Sequence, residues 1–189
     1  MRLFLAREAL DTHMKVAADL IRPNSPIGKK ISALFKMAGF YGFWYPRQWL
    51  NSSLINPHAG FGRLSRHLRF VDRTSHRLAR KLFHSMMRHQ AGLERRQLLL
   101  GRFVDVGVLL FAMCATVSYA KSLTKKNPGD KTPFEMADLF CLDSRRKITQ
   151  LFRDASSNTD VATYRLGRKV LDGEMKWMEQ EIVWVGPKT

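Results

Sequence analysis

The segment that most restricts this chain runs from Phe103 to Ala120 and reads FVDVGVLLFAMCATVSYA. It is apolar on every side of a helix, so it must either cross a membrane or be enclosed by other helices. Asp105 interrupts it, and the apolar run that follows is only about fifteen residues, against roughly 20 for a span. We therefore expect a helix buried on most sides inside a bundle, not a transmembrane segment.

The remaining sequence agrees with an all-α fold. Its 189 residues are 45% hydrophobic, enough for one domain with a core and an appendage. Alternating β-branched runs are few, and most apolar residues recur at helical spacing. The expected architecture is an antiparallel helical bundle with a basic, aromatic-rich insertion between its first and second main helices.

A first helix is expected from the start to about Ile21, with Leu3, Ala6, Leu10 and Ala17 on one face. Met1 enters that pattern in full stride, so the chain is expected to begin inside a helix of a longer protein. Arg7, Glu8 and Asp11 stand where a signal peptide would need an unbroken apolar core. Pro23 and Pro26 stop this helix.

A short amphipathic helix follows, with Ile31, Leu34, Phe35 and Ala38 on one side and Lys29, Lys30 and Lys36 elsewhere. After it comes Phe40-Tyr-Gly-Phe-Trp-Tyr45, too rich in Gly and aromatics for a regular core helix. A basic helix is expected from about Asp72 to Gly92, with Leu78, Leu82, Phe83 and Met86 on its buried stripe. The long helix then runs from about Leu93 to Leu123 and stops at Lys125-Lys-Asn-Pro-Gly129.

Thr132-Pro-Phe-Glu135 is a capping-box start, leading to about Phe152. Ser157-Asn-Thr-Asp160 caps a last helix to about Leu171. We divide the chain at 1–26, 27–71 and 72–189.

Chemistry is scarce. His76, His84 and His89 are eight and five residues apart, which is not the spacing of metal ligands on one helical face. No G-x-S-x-G elbow, G-x-G-x-x-G turn or P-loop occurs, and no carboxylate near the C-terminus has neighbours to tune it. Cys114 and Cys141 read as reduced structural thiols. No catalytic, cofactor-binding or metal-binding residue is assigned.

The net charge of +16 is the main functional signal. Between Arg63 and Arg102 many arginines face only Asp72 and Glu94, a field suited to nucleic acid, an anionic membrane or an acidic subunit. Nucleic-acid motifs are missing. The best candidate site is a peripheral membrane anchor made by Lys29, Lys30, Ile31, Leu34, Phe35, Lys36, Phe40, Phe43, Trp44 and Trp49. Lysines would meet anionic lipid while the rings partition to the headgroup layer. The alternative is that these aromatics pack into the bundle or a subunit contact.

Arg2-Leu-x-x-Ala-Arg-Glu8 resembles the stretch that follows the catalytic glutamate segment of acyl-CoA dehydrogenases. Glu94-Arg-Arg-Gln-Leu-Leu-Leu-Gly-Arg-Phe-Val-Asp105, with Phe111-Ala-Met113 and Ser118-Tyr-Ala-Lys-Ser122, resembles the long helix of the additional C-terminal domain in the very-long-chain subgroup. Lys29 to Trp49 falls where that subgroup carries its membrane-binding insertion.

The resemblance implies a FAD-dependent fatty acyl-CoA dehydrogenase of β-oxidation, of which this chain is the C-terminal part. The E-G-x-N-type glutamate motif does not occur here, so the chain is expected to be non-catalytic and to bind no FAD alone. Expected partners are the remainder of the dehydrogenase or a second subunit, and an anionic membrane surface. The expected location is cytoplasmic, peripheral to the inner face of a membrane. The alternative is a stand-alone basic helical module for anionic membranes or nucleic acid.

Overall fold

The computed structural model describes residues 8, 38–39, 41–49 and 58–178. Among them all regular structure is helical, and no strand occurs. The expected helix to Ile21, the Lys29–Lys36 helix and Phe40 lie outside the described residues, as does the tail beyond Met178.

The chain divides into two units, Met1–Ala155 and Ser156–Thr189. In the first, a 3-10 turn at Ala59–Leu64 leads into α1, Ser65–His89. A second 3-10 turn, Gln90–Arg95, leads to α2, Gln97–Lys126, and then to α3, Thr132–Ser156.

Side-chain contacts fix the directions. The Lys121 ammonium, near the end of α2, lies 4.1 Å from the ring centre of Phe61, just before α1. At the other end Leu93, Leu99, Leu100 and Phe103 pack with Leu78, Leu82 and Met86 of α1. These two helices are antiparallel. Going along α1, Arg66 meets Asp138, Phe70 meets Arg145 and Arg77 meets Phe152, so α3 runs parallel to α1. The topology is up, down, up.

The core is organised by α2. Phe103, Val106, Leu110, Met113, Val117 and Ala120 are buried and recur at alternating intervals of three and four, which makes one continuous stripe. Leu68 and Val71 of α1, with Ala137, Cys141, Ile148 and Phe152 of α3, close on it. Each fully buried aliphatic side chain contributes about 1.5–3 kcal/mol.

Three expectations need correction. First, α1 begins at Ser65, not near Asp72, and its deepest residues include His67, Leu68, Val71 and Thr74; Leu78, Leu82, Phe83 and Met86 are half-buried. Polar His67 and Thr74 disguise the stripe.

Second, α2 is not buried on most sides. It is long and apolar enough by composition to cross a membrane, yet among the described residues two helices supply its buried packing. Phe111 (76% exposed), Tyr119 (67%) and Val108 (52%) are open.

Third, the α1–α2 corner is made at Gln90, not Gly92. Gln90 takes φ 45° and ψ −131°, and its N–H donates to the Met86 carbonyl.

The expected capping box at Thr132-Pro-Phe-Glu135 does not form: the Glu135 N–H donates to the Lys131 carbonyl, and the Asp130 carboxylate accepts the Thr132 N–H at 2.9 Å. Its hydrogen bonds with Thr132 hold its pKa below the ordinary value.

In the second unit α4 spans Asp160–Leu171, and the Asn158 side-chain oxygen accepts the Asp160 N–H at 3.1 Å. This helix ends in a Schellman motif: Glu174 N–H donates to the Lys169 carbonyl and Gly173 N–H to that of Val170. Gly173 supplies the positive φ, 76°.

Gly62 adopts φ 54° and ψ −132°, nearly the angles of Gln90, and nothing lies within 4 Å of an added Cβ. Glycine is at home in this region of backbone space and glutamine is strained. Thermal unfolding should therefore give opposite signs at the two sites. Gly62→Ala should destabilise by about 1–3 kcal/mol and Gln90→Gly should stabilise by about 1 kcal/mol.

Candidate interaction surfaces

A polar cluster ties the starts of α1 and α3 together. Arg66 Nη2 donates to both oxygens of Asp138, at 2.6 and 2.8 Å. His67 Nε2 lies 2.7 Å from Asp138 Oδ1, and the imidazole has no solvent exposure. An ionised carboxylate only accepts, so Nε2 carries the hydrogen and Nδ1 keeps a lone pair. Nδ1 is buried without a partner. Burial lowers the His67 pKa against the opposing pull of Asp138, while hydrogen bonds from His67 and Arg66 lower that of Asp138.

The aromatic run is divided by the fold. Against the expectation from its glycines and aromatics, residues 41–47 are helical, because rings on one side of the turn find Phe83 to pack on. Tyr41, Trp44 and Tyr45 gather round Phe83 of α1, with ring centres 4.8, 5.8 and 5.5 Å away. Tyr45 Oη lies 2.9 Å from His84 Nε2, and Gln48 Oε1 lies 2.8 Å from His76 Nδ1. Arg80 donates to the Gln48 carbonyl and lays its guanidinium 4.3 Å over the Trp49 ring.

Phe43 and Trp49 remain outside, 80% and 63% exposed. Of the ten anchor candidates, Trp44 thus packs against α1, whereas Phe43 and Trp49 face solvent. Lys29, Lys30, Ile31, Leu34, Phe35, Lys36 and Phe40 lie outside the described residues.

The open side of α2 is the second surface. Beside Val108 a shallow groove of about 410 Å³ is lined by Asp105, Leu109, Lys147, Gln150 and Leu151. Outward-facing Met136, Leu139 and Leu142 add apolar area on α3.

Among the described residues no group of three His, Cys, Asp or Glu could hold a metal ion. Cys114 and Cys141 are free thiols, and burial raises the pKa of both, that of Cys141 to about 11.

The larger cleft, about 600 Å³, joins Arg63 and Lys131 to Glu135, Asp138, Phe134 and Leu139. It does not fit a flavin dinucleotide. Two carboxylates face any pyrophosphate placed there, and Asp130 already accepts the first N–H of the adjoining helix.

Residues 63–173, more than half of the chain, match the family described as ACAD9/ACADV, C-terminal domain. The chain belongs to that family. The match spans α1, α2, α3 and α4, so the ACAD9/ACADV C-terminal domain coincides with the helices described above.

The chain is 40% identical over 185 residues to the probable acyl-CoA dehydrogenase FadE10 of Mycobacterium bovis, and equally to that of Mycobacterium tuberculosis. These alignments cover 97% of the chain but only 28% of each relative. No solved structure matches the chain.

Sequence reasoning missed Arg66, His67 and Asp138, because nothing local pairs α1 with a carboxylate so distant along the chain. Removing that carboxylate leaves the buried His67 Nε2–H unpaired, so Asp138→Ala should destabilise by about 1–3 kcal/mol in chemical denaturation.

Both shifts are downward. His67 stability is complete above 6.5 and is lost as pH falls toward its lowered folded value, and Asp138 stability is lost below 3.8. Stability should therefore fall from pH 7 to 5, with a smaller slope in His67→Gln. Phe83→Ala should release the ring cluster and shift tryptophan emission to the red.

Proposed function

We propose that this chain serves as the C-terminal helical part of a FAD-dependent fatty acyl-CoA dehydrogenase of β-oxidation. It provides subunit contact and membrane association and performs no chemistry itself. The remainder of the enzyme would supply the flavin site, the thioester pocket and the catalytic glutamate. The basic, aromatic segment 27–55 holds the assembly to an anionic membrane, on the cytoplasmic inner face.

The observation that carries this reading is the open apolar side of α2, around Val108, Phe111 and Tyr119. An open apolar surface of this kind is suited to a contact with another part of the enzyme or with a second subunit. Family membership supports acyl-CoA dehydrogenase as the parent activity.

Co-expression with the preceding portion of a FadE10-like dehydrogenase tests it. The chain should co-purify with that portion, and Phe111→Asp should reduce the complex at least tenfold while leaving helicity unchanged. Alone, the chain should carry no flavin absorbance and should not reduce an electron acceptor with palmitoyl-CoA. Flavin binding and turnover by the isolated chain would sink the proposal, as would failure to associate.

A further inference from the structure

We propose that the outward face of α1 is an electrostatic contact surface for anionic lipid headgroups, with Phe43 and Trp49 as the rings that enter the headgroup layer. The inference rests on the membrane association proposed above, and moves much of its charge from the lysines at 29–36 to an arginine face.

Arg66, Arg69, Arg73, Arg77, Arg80 and Arg88 recur at helical intervals along one side of the helix. At 1.5 Å per residue the stripe is about 33 Å long. Leu68 and Val71 occupy the opposite, buried side, and Thr74 is buried at the edge of the stripe. Asp72, the one acidic residue of α1, turns away from the stripe and lies 2.7 Å from His58 Nε2. Arg66 is matched by Asp138. Arg69, Arg73, Arg77 and Arg88 are exposed.

The stripe is also held in shape. The Arg77 guanidinium lies 4.3 Å over the Phe152 ring, and Arg73 Nε donates to the Arg69 carbonyl at 3.3 Å. Rings use the face of a guanidinium and leave its edge for phosphate oxygens. A row of cations beside exposed rings is complementary to a headgroup layer, where phosphates lie at the surface and aromatic groups just beneath.

The position of the rings favours lipid over nucleic acid. Because residues 41–49 dock on His76, Arg80, Phe83 and His84, Phe43 and Trp49 are carried on the flank of the stripe. A nucleic-acid base would stack on a ring face, but Trp49 gives one face to Arg80. Partition into lipid does not need that face.

The test is sedimentation of the full chain with phosphatidylcholine vesicles, with and without phosphatidylglycerol, at low and high salt. Each arginine near an anionic surface is worth about fivefold in partition. The triple substitution Arg69→Gln, Arg73→Gln, Arg88→Gln should therefore lower partition by about a hundredfold without changing circular dichroism. In Trp49→Phe, quenching of tryptophan emission by brominated lipid should fall.

If wild-type chain binds anionic vesicles and the triple variant binds as well, this inference is overturned while membrane association stands. If wild-type chain ignores vesicles, membrane association itself fails. Displacement from vesicles by equimolar single-stranded RNA would reassign the stripe to nucleic acid.

Discussion

Two parallel helices side by side place like ends of their dipoles together, which is mildly unfavourable. In this fold α1 and α3 stand in that relation, and what holds them is the buried stripe of α2. The alternation of three and four between Phe103 and Ala120 keeps one line of side chains facing both neighbours at once. Val106, Met113 and Val117 have no exposure at all, so a smaller side chain there would open a cavity against both partners. The rest of the unit is hung on that line.

Apolar packing alone fixes the register loosely, since a helix displaced by one turn presents a similar stripe. The Arg66–His67–Asp138 cluster removes that freedom. A slip of one turn would leave a buried imidazole N–H without an acceptor and a carboxylate without its donors, two losses that packing does not recover. The stacks of Arg77 on Phe152 and Arg145 on Phe70 repeat the same register further along.

Much of this was legible in the chain itself. The stop at Asn127-Pro-Gly129, the start near Thr132 and the end of α4 near Leu171 follow from local stereochemistry, and local signals survive folding. Family resemblance carried by Glu94 to Asp105 also held.

What escaped was decided at a distance. His67 reads as a surface residue until Asp138, 71 positions away, is placed against it. Gln90 has no local reason for a positive φ; the two helices it joins demand it. Composition marks α2 as apolar all round without saying which side is covered. In the aromatic run, Tyr41, Trp44 and Tyr45 share one side of a short helix and Phe43 falls on another, but only Phe83 of α1 gives that division meaning.

Cys141 lies at the centre of the bundle, without exposure, on the α3 line that faces α2. With a pKa near 11, pushed up by burial and by the neighbouring Asp138 and Cys114, it is almost wholly protonated at neutral pH. Thiols react with alkylating agents as thiolates, so this one is silent while the helices stay together. Once they part, its pKa drops toward that of an ordinary cysteine and the sulfur becomes reachable. The native side chain is thus an internal clock, and its alkylation rate counts how often the three-helix core comes apart.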